Sequence, residues 1–168
     1  MAVREIRLFG DPILKTVSQP IAEITDSIRS LIVDLEQTTA ITGRAGVAAN
    51  QIGVSLRAFG YHVEGVVGHF INPEILEQSG EKLELDEGCL SLPEIWSKTP
   101  RYSKVVIRGQ KISGEIVQLE AEGLLAQVFQ HEVDHLDGLV YLDRLEAAAR
   151  KVCMAALRET TWLSLIHI

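Results

Sequence analysis

The segment Leu124-Leu125-Ala126-Gln127-Val128-Phe129-Gln130-His131-Glu132-Val133-Asp134-His135-Leu136 is a nearly uninterrupted helical pattern, stopped by Asp137-Gly138. Apolar side chains lie around most of its circumference, so this helix is expected inside the domain rather than on its surface. Before it, the chain reads as short strands. Residues 54–63 and 66–71 are candidates, the second halted by Asn72-Pro73. Residues 75–85 suggest a hairpin turning at Ser79-Gly80, and Val105-Val106-Ile107 with residues 116–121 suggest another turning near Ser113-Gly114. An earlier helix is predicted over Asp26–Thr39, because Ile28, Leu31, Ile32 and Leu35 share one helical face and Thr25 or Asp26 can cap its first free N–H groups. A last amphipathic helix is predicted over residues 143–160. The expected fold is therefore α+β: antiparallel β-sheets packed around a central helix, with an N-terminal and a C-terminal helix.

Composition narrows the function. The 168 residues suffice for one domain with a substantial core, and no repeat or Pro/Ser-rich linker divides them. The formal net charge of −7 argues against nucleic-acid binding, which needs a basic footprint. No apolar run reaches the roughly 18 residues of a membrane helix, and the first residues, Met1-Ala2-Val3-Arg4-Glu5-Ile6-Arg7, lack the pattern of an export signal. Two cysteines are too few for a disulfide framework, which points to a reducing cytosol. The apolar end, residues 163–168, fits poorly after a polar helix and resembles a translated sequencing-library adapter; the domain is expected over residues 1–162. His62 and His69 carry no pattern and read as ordinary sheet or surface residues.

The central helix carries H-E-x-x-H at residues 131–135. Histidines four apart stand one above the other on a helix face and reach one metal ion. Glu132 lies about 100° around the helix, beside the site, where it takes a proton from metal-bound water. The bland alternative is a core helix whose histidines are satisfied by hydrogen bonds. A third protein ligand is needed for an open catalytic site. The long metalloprotease pattern fails, because Tyr141 stands where its third histidine belongs, and Glu146 and Glu159 sit at unsuitable spacings. Upstream, Glu87-Gly88-Cys89-Leu90-Ser91 offers a thiolate. Alone, Cys89 reads as a small buried hydrophobe; beside this helix it completes a two-nitrogen, one-sulfur site suited to iron(II), zinc, nickel or cobalt.

Three segments, Gly46-Val47-Ala48-Ala49-Asn50-Gln51, Glu87-Gly88-Cys89-Leu90-Ser91 and Gln130-His131-Glu132-Val133-Asp134-His135, resemble in order and spacing the three signature motifs of the peptide deformylase family. Gly10-Asp11-Pro12-Ile13-Leu14, Ile71-Asn72-Pro73 and Glu122-Gly123-Leu124-Leu125-Ala126 are similar to the family as well, so the resemblance covers residues 4–145. It implies a hydrolase that removes the formyl group from the N-terminal formyl-methionine of newly made bacterial or organellar proteins. It further implies one divalent metal ion per chain, most often iron(II), held by Cys89, His131 and His135, with zinc, nickel or cobalt as replacements. Glu132 is then the general base, and Gln51 (side-chain amide) and Leu90 (backbone N–H) donate to the developing oxyanion. Leu124, Val128 and His131, with Gly46 and Glu87, would line the methionine slot, although helical spacing alone puts Leu124 and Val128 in the core. The extended peptide would pair with Ala45, Gly46 and Gly88. Arg101 and Asp134 would form an ion pair behind the site. Partners implied are nascent formyl-methionyl peptides and a transient ribosome contact, with a monomeric chain in the bacterial cytoplasm or an organelle and no nucleic acid or membrane bound.

Two features depart from the family pattern. Arg44 replaces a customary glycine, and Gly43 is displaced by one position. Either the arginine forces a local rearrangement, or its guanidinium leans over the entrance to attract acidic peptides. The segment after Asp143 lacks the basic extension that some bacterial members use at the ribosome. Two other readings stay open on the residues: a deformylase-like enzyme for a different formylated substrate, and an H-E-x-x-H peptidase for which Cys89 is dispensable.

Overall fold

The computed structural model describes residues 2–166 and is α+β, as the sequence predicts. The five strands among the described residues belong to one antiparallel sheet in sequential order: β1 (Gly46–Ala48), β2 (Ala58–Val63), β3 (Val66–Cys89), β4 (Leu92–Gln110) and β5 (Ile116–Glu122). Helix α1 spans Asp26–Thr39, with the Thr25 hydroxyl accepting from Ile28 N at its start. Helix α2 spans Gly123–Leu136, and α3 (Ala147–Arg158) and α4 (Thr161–Ile166) close the chain. The predicted last helix thus starts later, since a 3₁₀ turn, Tyr141–Arg144, precedes it. Of the apolar tail, Leu163 packs against the cluster of Leu92, Tyr141 and Leu157, whereas His167 and Ile168 lie outside the described residues.

The strand region departs most from expectation. Residues 66–89 form one continuous strand, not a strand halted at Asn72-Pro73 followed by a hairpin at Ser79-Gly80. The real turn comes at Leu90-Ser91, between β3 and β4. The residues read as breakers sit at irregularities in the β3–β4 register, between Ile71 and Glu74 and between Ser79 and Lys82. Asn72 adopts φ +49° and its side-chain amide bonds both the N–H and the carbonyl of Ile21. Gly80, at φ +75°, absorbs an extra residue. A bulge and a tight turn both recruit such residues, so local sequence does not separate them.

Helix α2 lies against β1, β2, β4 and β5. Phe129 meets Phe59, Tyr61 and Phe70 with ring centroids 5.2–5.9 Å apart. That aromatic cluster fixes one face of α2 on the sheet and turns the face bearing His131 and His135 toward the β3–β4 turn. His69 is a buried sheet residue: its Nδ1 lies 2.7 Å from Glu36 Oε1 and its Nε2 accepts from Ile112 N, which joins α1 to the β4–β5 connection.

Candidate active site

Three elements converge here. The end of β3 carries Cys89, α2 carries His131, Glu132 and His135, and the 3₁₀ turn after β1 carries Gln51. The ligand atoms of Cys89, His131 and His135 all lie within 4.8 Å of one another. His135 Nε2 stands 3.3 Å from Cys89 Sγ and 3.1 Å from His131 Nε2. A cysteine sulfur and two imidazole nitrogens this close together are the donor set of a divalent transition metal, so the residues fit such an ion.

Behind these three residues, polar groups set their orientation. His131 Nδ1 donates to Glu87 Oε1 at 2.6 Å, which leaves Nε2 facing inward. Arg101 binds Glu87 with two nitrogens, at 2.6 and 2.9 Å, and reaches Asp134 at 2.7 Å. The ion pair implied by the resemblance is therefore present and wider than expected, because Arg144 also grips both Asp134 oxygens. Burial alone would raise the Glu87 carboxyl; the hydrogen bonds from His131 and Arg101 outweigh it and hold its pKa at about 2. Burial disfavours charge on His131 too, but its bonds to Cys89 and Glu87 drive it well upward. At His135, burial and the neighbouring His131 charge both act downward.

Glu132 differs from Glu87 in having no cationic grip. Its Oε2 is buried without a hydrogen-bond partner among the described residues, and burial pushes its carboxyl up to about 7. Gly46 makes room for it: a Cβ there would sit 2.8 Å from Glu132 Cγ. Gln51 is buried with its amide oriented by Ala48 N, which donates to Oε1 at 2.9 Å. Its Nε2 is thereby turned toward Ser91 Oγ at 3.1 Å and Cys89 Sγ at 3.6 Å.

A cleft of about 410 Å³ opens onto this cluster. Ala45, Gly46, Gln51, Glu87, Gly88, Cys89, Leu90, Leu124, Val128, His131 and Glu132 all line it; His135, fully buried, stands behind. Val128 belongs both to the core and to the cleft wall, whereas Leu124 is half-exposed at the mouth, contrary to its core-like spacing. Sequence reasoning missed Trp96, which stacks over Gly88 on the opposite rim, and Asn50, whose Nδ2 donates to the His135 carbonyl at 2.6 Å. The only available signal for Asn50 was its place beside Gln51. Arg44 needs no strained backbone, because Gly43 takes the positive φ of +89°. Arg44 itself lines the cleft, and its guanidinium donates to Thr38 O at 2.9 Å, near the end of α1.

Comparison with known proteins agrees with this geometry. The family model described as polypeptide deformylase matches residues 3–151. A peptide deformylase of Acidothermus cellulolyticus is 49% identical over 162 residues, covering 96% of this chain and 89% of the relative. A crystal structure of a peptide deformylase from Legionella pneumophila superposes with a TM-score of 0.89 at 33% identity, covering 98% of both chains. That of Synechococcus elongatus, solved in complex with actinonin, gives 0.87 at 28% identity over 95% of this chain and 88% of its own. With motifs, fold and overall similarity in agreement, this chain belongs to the polypeptide deformylase family.

Proposed function

We propose that this chain hydrolyses the formyl group from the N-terminal formyl-methionine of newly synthesised proteins, releasing formate, with Glu132 as general base. The observation that carries the reading is the placement of Glu132: buried, without a partner at Oε2 among the described residues, and set beside Cys89, His131 and His135. A group that titrates near neutrality both takes a proton from a nucleophile and returns it to a leaving group. A divalent ion bound by Cys89, His131 and His135, iron(II) as the family resemblance implies, with zinc, nickel or cobalt as substitutes, would supply an acidified water and polarise the formyl carbonyl.

The chain's own groups do the rest. Glu132 accepts the proton of the attacking water and delivers it to the methionine nitrogen as the C–N bond breaks. Gln51 Nε2 and the Leu90 N–H donate to the oxygen that gains charge in the tetrahedral state, each contributing about 3–4 kcal/mol. Val128, Leu124 and His131, with Gly46 and Glu87, form the walls of the methionine slot, and the peptide lies extended along Ala45, Gly46 and Gly88. The substrates are nascent formyl-methionyl chains, met transiently at the ribosome by a monomeric protein in the bacterial cytoplasm. No described helix is long and apolar enough to cross a membrane.

The test is formate release from formyl-Met-Ala-Ser by anaerobically prepared, iron(II)-loaded protein beside Glu132→Gln. Release by the parent and not by the variant supports both reaction and base. No release by a parent holding one metal per chain overturns the substrate assignment.

A further inference from the structure

A histidine that holds a metal nearly always donates its second ring N–H to a fixed partner, which sets the tautomer and the ring orientation. His131 has one in Glu87. His135 Nδ1 is buried and has no hydrogen-bond partner among the described residues. Two further buried oxygens share that condition, Asn50 Oδ1 and Ser18 Oγ, while the remaining one, Glu132 Oε2, belongs to a residue of the cleft wall. Ser18 is 1% exposed, and Asn50 and His135 are fully buried.

These residues meet at one place, the C-terminal end of α2. Asn50 Nδ2 donates to the carbonyl of His135 itself at 2.6 Å, and the backbone N–H of Ser18 donates to the next carbonyl, Leu136, at 2.9 Å. With its amide nitrogen committed, Asn50 presents an acceptor; the Ser18 hydroxyl accepts in any rotamer. His135 presents a donor at Nδ1 when Nε2 serves the metal.

We infer that a single internal water seated among His135 Nδ1, Asn50 Oδ1 and Ser18 Oγ orients His135 as a ligand, making Asn50 and Ser18 positioning residues for the metal site. The hydrogen bonds balance: the water accepts from Nδ1–H and gives its two protons to Asn50 Oδ1 and Ser18 Oγ. Three bonds is the usual complement of a buried water. The proton is thereby kept on Nδ1, and the Nε2 lone pair faces Cys89 and His131. The two imidazoles are held by different means, His131 by a carboxylate and His135 by a neutral relay.

The inference rests on Cys89, His131 and His135 being a metal site, so the experiment begins with Co²⁺ binding to the parent, measured by chelator competition and by the cobalt d–d absorption bands. Failure of the parent to bind would sink the metal reading itself. Given a binding parent, Ser18→Ala and Asn50→Ala are each expected to raise the Co²⁺ Kd about 10- to 100-fold and to alter the d–d bands. A hydroxyl buried without a water predicts the reverse for Ser18→Ala: a higher melting temperature of the metal-free protein, an unchanged Kd and unchanged bands. That result overturns the inference while leaving the metal reading intact. Should Asn50→Ala not fold, Ser18→Ala still decides. A crystal structure of the metal-loaded parent at about 1.5 Å resolution should show a water bonded to all three atoms, and its absence from the density also overturns the inference.

Discussion

Two glutamates of similar burial stand on either side of His131 in opposite states, and the difference lies in their neighbours. Glu87 has both oxygens taken by Arg101 and His131, so its carboxylate stays charged; Glu132 has Gly46 beneath it and, among the described residues, no cation bonded to it. Only the second is free to exchange a proton near neutrality. Glu132→Gln is expected to keep the metal and to lower kcat/KM by about 10²–10⁴-fold, read from formate release; a loss under tenfold would remove the base from the mechanism. Glu87 governs stability instead. Its carboxyl falls from the ordinary 4.5 to about 2, so the folded chain binds that proton less readily than the unfolded one. Such a group stabilises the fold above pH 4.5, and the contribution, on the order of 3 kcal/mol, is lost as pH falls from 4.5 toward 2. Melting curves should show Glu87→Gln less stable than the parent at pH 6, with the gap closing below pH 4.5. A gap that stayed constant down to pH 2.5 would contradict the argument.

At the scale of elements, the two principal helices were legible and the long strands were not. Ile28, Leu31, Ile32 and Leu35 mark α1 by periodicity, and the apolar circumference of α2 marks its burial, because both signals are local. Strand β3 escaped because its continuity depends on pairing with β4, and Asn72, Pro73 and Gly80 carry the marks of chain breaks in either outcome. The candidate pair His131 and His135 was legible because a helix fixes its spacing, and Cys89 and Gln51 because they sit in short motifs that resemble the family, whereas Asn50, Arg144 and Trp96 join the cluster through tertiary contacts that no short pattern encodes. Arg44 lines the cleft and is also tied to an element. Its guanidinium satisfies the Thr38 carbonyl near the end of α1, where free carbonyls collect. Arg44→Ala should therefore cost about 0.5–1.5 kcal/mol in chemical denaturation and leave the KM for formyl-Met-Ala-Ser unchanged. A KM raised severalfold would return Arg44 to the substrate. Between helix and sheet, Phe129→Ala removes the ring at the centre of the aromatic cluster and should cost about 3–5 kcal/mol.

For the whole molecule the question is whether a metal builds the fold or only tightens it. The three candidate ligands come from the end of β3 and from α2, elements already held by separate apolar clusters: the aromatic group under α2, the α1 group around Ile32 and Leu35, and the group around Tyr141 and Leu157. None of these clusters needs the ligands to close, so the metal-free chain should remain folded and cooperative. A cation binding only the native state still stabilises it by mass action, about 2.7 kcal/mol when present at a hundred times its Kd. For a domain of this size that is a rise of roughly 5–10 °C in Tm. The expected outcome is a Tm that falls by this amount with a strong chelator and returns on adding Ni²⁺ or Co²⁺, with the far-ultraviolet circular dichroism unchanged throughout. Cys89→Ser, lacking one ligand, should show a much smaller shift on adding the same ion. Loss of the circular dichroism signal with chelator would mean that the ligands, not the apolar clusters, hold β3 against α2, and an identical Tm with and without metal would remove the cation from the site.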